Sequence, residues 1–194
     1  LALLYCDKGD YAQAEPLYRR ALAISEKTLG AEHPRTATVL NNLALLYYDK
    51  GDYAQAELLY SRALAIREKK LGAEHPSTAG LLNNQARLHE ATGDISRAVA
   101  LRLRAQAIEE RNISVNLATG SERQKLAYLT MLAGSADYSV HLHARSAPDN
   151  STARDMSLTA ILQRKGRALD AMSDSIEALR RAASPQDRAL FDQL

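Results

Sequence analysis

Apolar residues recur at three- and four-residue spacing along most of the chain, which is the pattern of amphipathic helices. The clearest segment predicts a helix over about residues 36–50, whose apolar face is made of Leu40, Leu43, Ala44 and Tyr47. Similar segments continue to the end of the sequence. The pattern therefore predicts an all-α protein.

Residues with special backbone preferences mark the end of this helix and the start of the next. Pro34 stands just before it, where a missing N–H group has no cost, and Gly51 ends it in the position that favours a left-handed backbone. Asp52 is then predicted to cap a second helix, with Gln55 three residues later as in a capping box. This second helix is expected to run to about residue 71. Its predicted buried side consists of Tyr53, Ala56, Tyr60, Ala63 and Leu64.

The helix pair belongs to a longer unit that occurs more than once. Residues 1–42 and 43–84 are nearly identical, because only eight of the 42 aligned positions differ. A third, degenerate copy over residues 85–111 keeps the glycine and the aspartate between its helices. It has polar residues at three positions that are apolar or aromatic in the other copies, namely Gln85, His89 and Arg102. A fixed period of this length predicts stacked helix hairpins rather than one globular core.

The arrangement of small and bulky residues resembles the tetratricopeptide repeat (TPR), in the longer 42-residue form of kinesin light chains. The resemblance is carried by Leu43–Ala44, Tyr47, Gly51, Tyr53, Ala56, Tyr60 and Ala63. The proline that usually ends the second helix in this family is absent, and Glu68 stands in its place. The resemblance implies a right-handed superhelical TPR solenoid of antiparallel hairpins over residues 1–111.

Residues 112–194 lose the 42-residue period but keep a helical pattern, with helices expected over about 121–132, 135–147 and 151–183. We expect an α-helical extension that could continue the solenoid. The amino-acid sequence of this extension resembles the segment that joins repeat arrays to caspase-like CHAT peptidase domains in bacterial proteins. Both ends of the sequence fall inside helical patterns, so we interpret the chain as a fragment of a longer protein.

Composition and charge argue against several classes of partner but do not identify the function. The net charge of +2 is spread evenly over 194 residues, so neither nucleic acid nor an anionic membrane is a favoured partner. The single cysteine, Cys6, excludes an internal disulfide and fits a reducing, cytoplasmic setting. No apolar run approaches 18 residues, so no membrane-spanning helix is predicted.

Asparagine pairs on the first helix of each hairpin are the candidate ligand contacts. A carboxamide can both donate to and accept from a peptide backbone, and peptide-binding members of the family use asparagines in this way. The predicted contact residues, on what the resemblance makes the concave face, are Asn41, Asn42, Leu45, Tyr48, Asn83, Asn84 and Arg87. The alternative is that the asparagines bond a loop or an adjacent helix and only hold the stack together.

No catalytic, metal or cofactor site is predicted. His33 and His75 recur in the same loop about 42 residues apart, without a second ligand at short spacing, so we expect loop packing or helix capping rather than metal binding. No histidine lies at a sequence spacing from Cys6 that would indicate a catalytic base for this thiol. Gly-rich phosphate loops and nucleophile motifs are also missing from the sequence.

We therefore expect a non-enzymatic protein–protein interaction scaffold that binds a peptide or partner protein. Two alternatives remain open. The chain could be the regulatory or recruitment arm of a CHAT-type protease whose catalytic domain is absent here, or it could be a structural spacer or self-assembly module. Self-association could use the apolar edge of the terminal repeat, at Leu1, Leu4 and Tyr5.

Overall fold

The protein divides into two compact units, residues 1–119 and residues 120–194. A computed structural model describes residues 1–119, 139–163 and 166, and the side chains of these residues except 113–119. Every regular element in these described ranges is helical, and they contain no strand. The predicted all-α class is confirmed.

Residues 1–119 form an array of helices that pack in chain order. They are α1 (Ala2–Asp7), α2 (Tyr11–Leu29), α3 (Pro34–Asp49), α4 (Tyr53–Leu71), α5 (Pro76–Ala91) and α6 (Ile95–Thr119). Helix α3 packs mainly on α4 and α5 mainly on α6, so these two pairs are the hairpins of the second and third repeats. Helix α6 continues beyond residue 111, where the sequence period ends.

The helix ends follow the predicted signals. Gly51 has a φ of +79°, which glycine adopts without strain, and it lies between α3 and α4. Asp52 caps α4 by accepting a hydrogen bond from the backbone N–H of Gln55 at 3.2 Å. The second helix ends at Leu71, as predicted.

The two repeated histidines are helix caps. His33 Nδ1 accepts a hydrogen bond from the backbone N–H of Arg35 at 3.1 Å, and His75 Nδ1 accepts one from Ser77 at 3.2 Å. Each histidine directly precedes the proline that begins α3 or α5. This confirms the capping interpretation, and it places the start of α3 at Pro34, two residues before the predicted start.

The core of the second repeat combines small and bulky side chains. Ala44, Ala56 and Ala63 are fully buried, which lets the helices approach closely, and Leu40, Leu43, Tyr47 and Tyr60 fill the space around them. The prediction that Tyr53 is buried is wrong, since its side chain is 36% exposed. Tyr53 is the first residue of α4, so it lies at the end of the hairpin, where no further turn covers it.

The polar substitutions of the third repeat remain buried. Arg102 is only 1% exposed, although it occupies the position of Tyr60. Its guanidinium donates a hydrogen bond to Asn83 Oδ1 and lies 3.8 Å from Glu109 Oε1. A buried polar network thus replaces part of the apolar core in the α5–α6 hairpin.

Ion pairs that join each second helix to the second helix of the preceding repeat, or to the loop that follows it, recur with the 42-residue period. Arg62 on α4 pairs with Glu26 on α2 at 2.6 Å, and Arg104 on α6 pairs with Glu68 on α4 at the same distance. A second pair recurs as Lys69 with Glu32 and as Arg111 with Glu74. We call these four pairs the inter-repeat ion pairs. Each one alone stabilises little because its side chains are partly or fully exposed, but all four occupy equivalent positions in successive repeats.

The described part of the second unit is also helical. Residues 139–146 are helical with a π-helical turn at Leu142–Ser146, and residues 151–163 form a helix whose start is capped by Asn150. Met156 is buried, whereas Leu158 and Leu162 are exposed. The predicted helix over 121–132, and all of the 151–183 helix after residue 163 except residue 166, lie outside the described residues.

Candidate functional site

Three of the predicted contact residues form a hydrogen-bonded chain that joins the second and third repeats. Asn84 Nδ2 on α5 donates to Asn41 Oδ1 on α3 at 2.9 Å. Asn41 Nδ2 in turn donates to Asn42 Oδ1 at 3.2 Å. All three side chains are half-buried, so the chain of amides is held in place but still reaches solvent. We call these three residues the asparagine ladder.

Asn83 is in a different environment, although its position in the repeat is that of Asn41. Its Nδ2 donates to Glu109 Oε1 at 2.8 Å, and its Oδ1 accepts a hydrogen bond from Arg102. Both atoms of the amide are therefore engaged inside the α5–α6 hairpin. For this residue the geometry favours the structural alternative.

An aromatic and cationic group lies further along the same helices. The Arg87 guanidinium lies over the Tyr48 ring, 5.2 Å from the ring centroid, so α5 and α3 are also in contact here. The Tyr53 ring packs against Tyr48 with 5.7 Å between centroids and planes tilted by 49°. Residues three and seven apart share a helix face, which places Tyr48 with Asn41, and Arg87 with Asn84. We call this surface the first-helix face; Leu45 lies on it, half-buried.

Asp49 and the Tyr60 hydroxyl complete this group. Burial raises the pKa of the Asp49 carboxyl above its ordinary value, and the charge of Arg87 opposes this effect only in part. Burial likewise raises the pKa of Tyr60, against the opposing charge of Arg87. Asp49 is nevertheless exposed to solvent, so water screens both the effect of burial and the charge of Arg87.

Asp49→Asn is expected to raise the melting temperature at pH 7 only slightly, by less than about 1 °C, because Asp49 is exposed and solvent screens most of the effect on its charge. A carboxyl whose pKa is raised by folding favours the folded state below its unfolded pKa, and this contribution is lost as the pH rises through the folded value. Asparagine removes the ionised form. The gain should therefore be largest near pH 7 and shrink as the pH falls towards about 4.

Melting curves of both proteins between pH 4 and pH 7 test this expectation. Asp52→Asn is the matched control, because asparagine caps a helix as well as aspartate does and should leave the melting temperature nearly unchanged. A lower melting temperature for Asp49→Asn at pH 7 would mean that attraction to Arg87 outweighs the effect of burial.

The first repeat continues the face with a thiol and a second carboxylate. Burial raises the pKa of the Cys6 thiol, a hydrogen bond with Tyr18 opposes this, and the charges of Asp49 and Asp7 add to the increase. Cys6 is thus a poor nucleophile at neutral pH. Within the described parts of the chain, no group of three or more His, Cys, Asp or Glu residues could hold a metal ion. Nor does any described helix have the length and apolarity needed to cross a membrane.

Two residues of the face were absent from the predicted contact set. Asp49 follows Tyr48 directly and is four residues from Leu45, so helical spacing does place it on this face, but it was not chosen as a contact residue. Tyr53 could have been found from its place after the Asp52 cap, since the first residue of a helix is seldom covered by its own hairpin.

Comparison with known proteins gives a family match and several structural relatives. The family model described as tetratricopeptide repeat matches residues 1–69 and 51–111. No curated protein sequence shows significant similarity to this chain. Among solved structures, BtubC (BKLC) from P. vanneervenii has a TM-score of 0.67 at 26% identity, covering 86% of this chain and 61% of BtubC. The chain therefore spans less than two thirds of that relative.

A second structural relative has the same fold at lower identity. It is a putative kinesin light chain from Podosopora anserina with nearly identical TPR-like repeats, at a TM-score of 0.54 and 23% identity. The match covers 95% of this chain and 93% of that one. A point variant of the same fungal protein gives a TM-score of 0.53 at 24% identity, covering 92% and 91% of the two chains. These matches show that the chain shares the fold of these TPR-like repeats.

Proposed function

We propose, since the chain belongs to the tetratricopeptide repeat family, that residues 1–119 are a protein-interaction scaffold whose first-helix face binds an extended peptide segment. Stacked repeats of this kind offer a surface that is ordered before the ligand arrives. Binding then need not include the cost of ordering a loop. The role is non-catalytic.

The observation that carries this proposal is the unused hydrogen-bonding capacity of the asparagine ladder. The Nδ2 group of Asn42 and the Oδ1 atom of Asn84 have no partner among the described residues. One is a donor and the other an acceptor, which are the groups needed to bind the C=O and the N–H of a peptide backbone. The bonds within the ladder hold both amides in fixed orientations, so their free atoms are presented together.

Removing the two outer amides should weaken peptide binding while the stack remains folded. Peptides selected from a random 12-residue phage-display library on the complete chain are the probe, labelled with fluorescein and measured by anisotropy. Asn42→Ala/Asn84→Ala is expected to reduce their affinity by about 5- to 150-fold, since each of the two lost hydrogen bonds contributes about 0.5–1.5 kcal/mol. Circular dichroism should show unchanged helix content.

The matched control is Gln13→Ala/Gln55→Ala, which removes two exposed amide side chains from the second helices and should leave affinity unchanged. Equal binding by the wild type, the control and the asparagine variant would exclude the first-helix face as the peptide site. Loss of binding in both double variants would point to a non-specific effect instead.

The other proposals concern the whole protein. A cytoplasmic location suits the chain, because its single cysteine can form no internal disulfide. A role as the regulatory arm of a CHAT-type protease and a role in self-association both stay predictions. For the latter, Leu1 and Leu4 are strongly exposed in the terminal repeat and Tyr5 is half-buried.

A further inference from the structure

One arginine of the repeat array is half-buried and has no acidic partner. Among the described arginine and lysine side chains, only Arg67 on α4 and Arg102 on α6 are not fully exposed. Arg102 lies beside Glu109, whereas no described carboxylate lies within ion-pair distance of Arg67. Burial also lowers the pKa of the Arg67 guanidinium. The fold therefore carries a partly desolvated charge and supplies no carboxylate that offsets it.

The repeat does not need an arginine at this position. The equivalent residues of the first and third repeats are Ser25 and Glu109. Ser25 is buried and shares a 2.8 Å hydrogen bond with Thr36, so a short side chain satisfies this position in the first repeat. Since stacking of the helices does not require Arg67, a role in binding is the better explanation for its cost to stability.

Arg67 reaches the first-helix face one turn before the asparagine ladder. Its Nη2 donates to Thr38 Oγ1 on α3 at 3.3 Å, and its Nη1 donates to the backbone C=O of Ser77 on α5. Thr38 is exposed and lies three residues before Asn41 and four before Asn42, so it shares their side of α3. A guanidinium has five N–H groups, and these two hydrogen bonds leave the others for a further acceptor.

Gly80 occupies the position of Thr38 in the next repeat and leaves α5 without a side chain there. It lies inside α5, three residues after Ser77 and four before Asn84, and it is exposed. Its φ is not positive, and a Cβ built on it would meet no atom within 4 Å. Glycine inside a helix is less favourable than alanine, because its backbone loses more freedom on folding. Neither backbone geometry nor packing therefore explains this glycine.

We infer that the segment bound on the first-helix face continues beyond the asparagine ladder, passes in close contact over Gly80, and places an oxygen acceptor on the Arg67 guanidinium. This inference rests on the proposed function and extends its site towards the start of α3 and of α5. The acceptor is a carboxylate or a backbone C=O group of the segment. A side chain at residue 80 would hold the segment away from α5, which accounts for the glycine. The acceptor gives Arg67 the partner that the fold does not.

Gly80→Ala should change stability and binding in opposite directions. Alanine favours the helix, so the melting temperature is expected to rise by about 1–4 °C. The added methyl group separates the segment from α5, and the loss of about one hydrogen bond should weaken the library-selected 12-residue peptides about 2- to 13-fold. Ser61→Ala is the matched control, because it also favours a helix but lies at an exposed position of α4 outside this face. It should stabilise the chain and leave the affinity unchanged.

Arg67→Ser tests the anchor with the residue that the first repeat has at this position. It should leave the helix content unchanged and weaken the same peptides at least about twofold, which is the low end for one hydrogen bond. Arg20→Ser removes an exposed arginine from α2 and should leave the affinity unchanged.

Peptides whose acidic side chains and C-terminal carboxylate are converted to amides identify the acceptor. If the acceptor is a carboxylate, these peptides should bind the wild type as weakly as the parent peptides bind Arg67→Ser, and combining both changes should weaken binding no further. If the acceptor is a backbone C=O group, their affinity for the wild type should be unchanged and should still fall with Arg67→Ser.

The outcomes separate this inference from the proposed function. Peptides that lose affinity with Asn42→Ala/Asn84→Ala but bind either Gly80→Ala or Arg67→Ser at least as tightly as the wild type would overturn the extended path and leave the peptide-binding face intact. Peptides that are insensitive to all of these variants would overturn both proposals, and so would a selection that yields no binder for the folded chain.

Discussion

Leu46→Ala is expected to lower the free energy of unfolding by about 2–5 kcal/mol, whereas Leu4→Ala should change it by less than about 0.5 kcal/mol. The two leucines occupy the same position in successive repeats. Leu46 is 1% exposed and belongs to the main core, while Leu4 is 55% exposed. Alanine at residue 46 leaves a cavity among packed side chains, and alanine at residue 4 leaves almost none.

Urea unfolding monitored by circular dichroism measures both effects on the same protein. Leu4→Ala serves as the matched control, because the substitution and the local sequence are the same and only the burial differs. Repeat arrays can unfold in parts, so the slope of the transition should be compared as well as its midpoint. Equal destabilisation by the two variants would contradict this expectation. It would show that Leu4 is buried in solution by another molecule, such as a second copy of the chain.

Arg102→Ala should destabilise the α5–α6 hairpin by about 3–5 kcal/mol. The substitution leaves Glu109 without this cation and takes a hydrogen-bond donor from Asn83, in a place where water has little access. Removing one member of a buried polar network is costly because the others keep their desolvation penalty. The loss should appear in hydrogen exchange as faster exchange of the amides of α5 and α6, with α3 and α4 much less affected.

The double variant Arg102→Met/Glu109→Met tests the reason for this loss. It removes both charges and keeps apolar volume, so it should recover much of the stability that Arg102→Ala loses. If it is as unstable as Arg102→Ala, the volume of the arginine side chain matters and its charge does not. A wild-type stability for Arg102→Ala would show that the buried network contributes nothing to the hairpin.

The sequence was sufficient to predict the helices of the second repeat because its signals are local. Gly51 and Asp52 act through their own backbone and side-chain preferences, and neither depends on a distant neighbour. The spacing of Leu40, Ala44 and Tyr47 defines a face whatever packs against it, and all three are buried. The same reasoning failed for Tyr53, since its exposure depends on where the hairpin ends in space and not on helical periodicity.

The candidate site could be predicted only in part, because the partners of a side chain come from other repeats. Asn41 and Asn83 are the same residue at the same repeat position, yet Asn41 joins the ladder and Asn83 turns to Arg102 and Glu109. The difference arises in α6, where arginine replaces the tyrosine found at residue 60. Sequence identity between two repeats is a good predictor that their backbones have the same conformation. It does not predict equal hydrogen-bond partners when a neighbouring helix has changed.

The inter-repeat ion pairs bear on how the length of such an array can change during evolution. Deletion of residues 43–84 by recombination between near-identical copies would bring Arg104 and Arg111 to the places of Arg62 and Lys69, opposite Glu26 and Glu32. The two repeats brought together would still have opposite charges facing each other. Whole repeats can therefore be lost or gained without breaking the inter-repeat ion pairs. The same event would remove Asn84 and with it the ladder. Copy number would then set how many binding positions the gene encodes, independently of whether the array folds.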